Sequence, residues 1–123
     1  MFENMSITEF TDKLSSEEPV PGGGGAAALS AALAASLTAM VFNLTIGKKV
    51  FEEYDDIIKI HILESLNKVE NVKKEFLTFI DKDAKAFSPI ISAYKLPKVT
   101  EEEKRIRSEK IQEGYKLAAG VPM

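Results

Sequence analysis

A chain of 123 residues, 45% hydrophobic and 28% charged, has the balance of one folded domain with a core of its own. With no cysteine and a single histidine, His61, it lacks disulfides, thiolate zinc sites and cysteine nucleophiles, so no metal centre is expected. The net charge of −3 argues against a nucleic-acid surface, because phosphate binding needs concentrated Lys and Arg.

The opening residues Met1-Phe2-Glu3-Asn4 carry an acid and nothing like the basic start of a signal peptide, which predicts a cytoplasmic protein. Ser6-Ile7-Thr8-Glu9 has the form of a capping box, and Ile7, Phe10 and Leu14 follow at helical spacing, so a short amphipathic helix is expected. Pro19-Val20-Pro21-Gly22-Gly23-Gly24-Gly25 then forms a bend, with an uncharged alanine-rich run from Ala26 to Ile46 behind it. Glycine has the most backbone freedom to lose inside a helix, but directly before one it lets the chain turn sharply into it. The first-turn N–H groups of that helix lack intrahelical partners and carry the positive end of its dipole. The bend therefore suits either an anion or the close approach of two helices.

The run from Ala26 to Ile46 matches the ~20 residues needed to cross a bilayer. Its alanines, with Ser30, Ser36, Thr38, Asn43 and Thr45, make it only shallowly hydrophobic. It is better read as the buried centre of a helical bundle than as a membrane partner. Gly47 is expected at a left-handed helix end, where Lys48 and Lys49 complement the dipole.

Asp55 and Asp56 mark the start of a long helix from Ile57 to about Ile91. Along it Ile62, Leu66, Val69, Phe76, Ile80 and Phe87 form a heptad stripe, interrupted at Lys73 and Asp83. Lys73 has the length to snorkel to water. Asp83 has not, and on a core-facing stripe it must be hydrogen-bonded, paired or protonated, which makes it a candidate functional acid or an anchor for a neighbouring helix end. Pro89 removes a backbone hydrogen bond just beyond it and is expected to kink the helix or tighten its last turn. Ala93-Tyr94-Lys95-Leu96-Pro97-Lys98 forms a connection, and Thr100 with Glu103 caps a charged helix reaching about Ala119. Gly120-Val121-Pro122-Met123 reads as the opening of another helix. The fold class is all-α: an antiparallel helical bundle with a buried Ala-rich helix and one very long kinked helix.

Five blocks in order carry a resemblance: Pro19 to Gly24, Met40-Val41-Phe42-Asn43-Leu44-Thr45-Ile46-Gly47-Lys48-Lys49, Asp83-Ala84-Lys85-Ala86-Phe87, Ala93 to Lys98, and Ala118-Ala119-Gly120-Val121-Pro122. Together they resemble the formiminotetrahydrofolate cyclodeaminase / methenyltetrahydrofolate cyclohydrolase family. The resemblance implies an all-helical homodimer acting on a one-carbon-substituted tetrahydrofolate as substrate, with no permanently bound cofactor and with a formiminotransferase as a partner. It departs from the family at Gly25, where relatives usually carry serine, and at Met123, beyond which family domains continue for several helices. A domain incomplete at its C-terminal end is therefore expected.

In the cyclodeaminase reaction N10 of 5-formiminotetrahydrofolate attacks the formimino carbon and ammonia leaves. A carboxylate beside the developing cation suits that chemistry. The motif match assigns Asp83 and Lys95 as catalytic residues, with Asp81 a weaker candidate on another face of the helix. Gly22, Gly23 and Gly24, with Lys48, Lys49, Lys95 and Lys98, are candidates to hold the folate carboxylates, and Asn43 and Tyr94 to read the pterin edge. His61 is read as a surface or structural residue. Cyclodeamination is the first expectation and methenyl hydrolysis the second, since one carboxylate and one pocket serve both. A non-catalytic helical scaffold is the rival from another class.

Overall fold

The computed structural model describes residues 1–120, and among these 82% of the chain is helical with no strand. A 3-10 turn at Phe2–Asn4 precedes α1 (Ile7–Ser15), α2 (Gly23–Ile46), α3 (Lys49–Glu53), α4 (Asp56–Tyr94) and α5 (Glu101–Ala119). The hydroxyl half of each expected capping box forms, without the returning carboxylate bond among the described residues: the Ser6 hydroxyl accepts from the Glu9 N–H at 3.1 Å, and the Thr100 hydroxyl from the Glu103 N–H at 3.1 Å. Each satisfies a first-turn donor that the helix itself leaves unpaired. The expected residues Val121, Pro122 and Met123 lie outside the described part of the chain.

The contacts divide the chain into two compact units. One comprises Met1–Ala26 with the chain from Phe79 onward, and the other Ala27–Thr78. In the first, Phe2, Phe10, Ile80, Ile90, Ala93 and Ile111 are buried. Gly114 of α5 sits so close to Ile90 of α4 that a Cβ there would lie 2.8 Å from Ile90 Cγ1, which requires glycine. Phe10 alone of the α1 stripe is fully buried, while Ile7, the first residue of that helix, is 85% exposed.

In the second unit α2 buries Ala28, Ala32 and Ala39, and the heptad stripe of α4 at Ile62, Leu66, Val69, Lys73 and Phe76 is half-buried. Lys73 keeps its place in the stripe by pairing with Glu70 one turn back, at 2.7 Å. α2 corrects the expectation of a helix buried on all sides. Its alanine face is covered, whereas Leu33, Leu37, Met40, Val41 and Leu44 are all about half exposed or more. By length and composition α2 is also apolar enough to cross a membrane.

Two further expectations change. No described glycine has a positive φ, so Gly47 does not end α2 in the left-handed conformation. Gly47 N–H closes a regular helical bond onto Asn43 O, the turn then tightens through Lys48 N–H to Thr45 O, and α3 starts at once from an extended Lys48. α4 runs through Pro89 without a break in its helical assignment, 39 residues in all.

Candidate functional site

The bend ahead of α2 and the middle of α4 meet within the first unit, and the meeting point is a cavity of 390 Å³ lined by Pro19, Val20, Gly22, Gly23, Gly24, Asp83 and Phe87. The two prolines flanking Val20 set the approach to the bend, with a cis peptide bond between Val20 and Pro21. Helical order begins at Gly23, and Ala26 N–H closes the first turn onto Gly22 O at 3.0 Å. From α4, Asp83 and Phe87 reach the cavity together because residues four apart share a helix face.

Gly24 is what admits the carboxylate. A Cβ at Gly24 would lie 2.5 Å from Asp83 Cγ and 2.6 Å from its Oδ1, far inside contact distance, so any side chain there would push Asp83 aside. A Cβ at Gly23 would meet nothing within 4 Å. Gly25 is buried against Pro21 and Ile80, with a Cβ position 3.3 Å from Pro21 Cβ. A serine at this position would be tight.

Asp83 is half-buried and, among the described residues, makes no hydrogen bond or ion pair. Of the expected alternatives, hydrogen-bonded, paired or protonated, the first two do not form among the described residues, and the cavity lies open beside the carboxylate. It stands at the positive end of the α2 dipole, a favourable place for a negative side chain. The same placement bears on the bend as a site for the folate carboxylates: a second anion at Gly22, Gly23 and Gly24 would meet the charge of Asp83.

Asp81 is engaged elsewhere. Its carboxylate accepts from the Met1 ammonium at 2.7 Å and from the Phe2 N–H at 2.8 Å. Partial burial works against its ionised form, but those two hydrogen bonds and the Met1 charge outweigh it, and the carboxyl is held below its ordinary 3.8.

The other sequence candidates are not at this cavity. Lys95 and Lys98 are exposed in the connection after α4, and Lys95 lies about 18 Å further along the helix direction than Asp83 at 1.5 Å per residue. Tyr94 belongs to a clasp between α4 and α5. Its hydroxyl is 3.2 Å from that of Tyr115, its carbonyl accepts from Arg107 Nε at 3.4 Å, and the Arg107 guanidinium lies 5.2 Å from its ring centre. The shared hydroxyl contact pushes the Tyr115 phenol above its usual range. Asn43, Lys48 and Lys49 are exposed residues of the second unit. His61 is exposed on α4. Among the described residues no three His, Cys, Asp or Glu side chains cluster as metal ligands.

Sequence reasoning passed over Phe87 as a seam residue and Val20 as part of the bend, although both line the cavity. The four-residue spacing from Asp83 was the signal for Phe87. Nothing local marked Val20, or Arg107 and Tyr115 in the clasp.

A family model described as formiminotransferase-cyclodeaminase matches residues 6–123. A methenyltetrahydrofolate cyclohydrolase of Methylorubrum extorquens is 46% identical over 123 residues, covering 100% of this chain and 57% of that protein. The formimidoyltransferase-cyclodeaminases of Gallus gallus and Rattus norvegicus are 36% and 33% identical over 92% and 96% of this chain, but over only 20% and 21% of their own lengths. The chain thus spans little more than half of the cyclohydrolase and about a fifth of the longer proteins.

Proposed function

The chain belongs to the formiminotransferase-cyclodeaminase family, and from that premise we propose that the Asp83 cavity belongs to an enzyme site of folate one-carbon metabolism that hydrolyses 5,10-methenyltetrahydrofolate. The observation that carries this is the unpartnered carboxylate of Asp83 in a cavity whose glycine wall leaves room for it. The higher identity to a protein named for methenyl hydrolysis favours that reaction over cyclodeamination, reversing the order expected from the residue blocks.

The methenyl bridge is a planar cation, and a carboxylate beside it lowers the energy of the charged substrate and of the transition state leading from it. Water adds to the bridging carbon as Asp83 takes its proton. The bond from that carbon to N5 then breaks, N5 keeps the electron pair and is protonated, and the formyl group remains on N10. In the cyclodeaminase alternative N10 attacks the formimino carbon, the bond to the formimino nitrogen breaks, and ammonia departs with the proton that Asp83 relays. The family match over residues 6–123 keeps this second reaction in play.

Assaying both substrates on one preparation tests the proposal. Turnover of methenyltetrahydrofolate without release of ammonia from the formimino compound is the expected result. Ammonia release with no methenyl hydrolysis would replace the first reaction by the second, and neither activity would reduce the domain to a scaffold.

A further inference from the structure

We propose that Gly25 is a positioning residue: by carrying no side chain it seats the bend at residues 19–21 against α4, and so sets where the Val20 wall stands relative to the Asp83 carboxylate. The proposal rests on the enzyme reading of the cavity and adds to it a residue that lines none of its surface.

Three glycines open α2, and each meets a different neighbour. A Cβ at Gly23 would stand in open space, and one at Gly24 would strike the Asp83 carboxylate. A Cβ at Gly25 would lie 3.3 Å from Pro21 Cβ and 3.6 Å from Ile80 Cγ2. The second distance is ordinary contact, whereas the first requires Pro21 to give way by a few tenths of an ångström.

The two neighbours differ in how they respond. Ile80 is 2% exposed, on α4 one turn before Asp83, and a close-packed interior resists displacement. Pro21 is buried too, but it belongs to the bend, and its ring fixes φ, so it has no side chain to rotate out of the way. A push on Pro21 is thus a push on the backbone, and Val20, joined to it directly, is a wall of the cavity. On the other side of Pro21 the chain has little slack, because Ala26 N–H is bonded to Gly22 O at 3.0 Å. A side chain at Gly25 would therefore move Val20 while leaving Asp83 in place on its own helix. Gly24 makes room for the acid, and Gly25 sets the distance of the wall that faces it.

Gly25→Ala and Gly25→Ser in the whole chain test this, with methenyltetrahydrofolate hydrolysis, urea unfolding and the NMR resonances of the Val20 methyls followed together. A misplacement of about 1 Å costs on the order of 10²-fold in rate, so a shift of a few tenths should lower kcat about three- to fivefold in both variants, with KM moving less than kcat. The Val20 methyl resonances should move in both. The urea midpoint of Gly25→Ala should hold, because the helix propensity of alanine offsets the tighter packing, and this separates a displaced wall from a loss of folded protein. Val20 resonances that stay in place, a kcat that is unchanged although they move, or a kcat loss matched by an equal loss of folded protein would each overturn the proposal. A parent chain without turnover would overturn the enzyme reading instead, and the Val20 resonances alone would then decide whether Gly25 seats the bend.

Discussion

α2 uses small residues at its start and along its middle for different ends. In the first unit Gly24 has no side chain because a carboxylate occupies the space where one would be. In the second unit Ala28, Ala32 and Ala39 are small and buried in apolar surroundings, and they keep the helix propensity that glycine would forfeit. A glycine at a helix start thus marks a neighbour of unusual demand, and an alanine stripe marks only close packing.

One urea-denaturation series breaks or sharpens that contrast. Gly24→Ala should cost about 1–3 kcal/mol, the usual penalty for overpacking, since Asp83 must move. Ala32→Gly should cost about 1 kcal/mol through helix propensity and about as much again through the lost buried methyl. Gly23→Ala, with open space around its Cβ position, should stabilise by up to about 1 kcal/mol. If Gly24→Ala proved as harmless as Gly23→Ala, glycine would not be what admits Asp83.

A smaller effect separates the two acids of α4. Asp81 has a depressed pKa in the folded chain, so its contribution is fully present above the ordinary 3.8 and disappears as pH falls through the lower folded value. Asp81→Asn should therefore lower stability near neutrality and flatten its decline in acid, which acid titration followed by circular dichroism would record. An unchanged acid profile would mean that the Met1 and Phe2 bonds to Asp81 add nothing.

The sequence made local features legible and left contacts between distant segments obscure. Ser6 and Thr100 announced their caps because each acts on a neighbour three residues away. The glycine bend and Asp83 both stood out, the one as a helix breaker and the other as a charge on an apolar stripe. That they meet at Gly24 is a contact between residues far apart in the chain, which no periodicity encodes. For the same reason nothing in the sequence marks the contacts of Tyr94 with Arg107 and Tyr115. The short α3 was missed because the sequence signal at Gly47 to Lys49 described the end of a helix and gave no hint that another begins immediately. The exposure of Leu37 and its neighbours was hidden by composition, since an uncharged helix reads alike whether one face or every face is covered.

The most direct test compares methenyltetrahydrofolate hydrolysis by Asp83→Asn and Asp81→Asn, two variants that alter acids two residues apart on one helix. The folded state of each is checked by circular dichroism. Asp83→Asn should lose about 10²–10⁴ in kcat, the scale of general acid–base catalysis, while Asp81→Asn stays within a few fold of the parent. Equal losses, or retention of activity by Asp83→Asn, would contradict the assignment of the cavity's free carboxylate as the group that carries the chemistry.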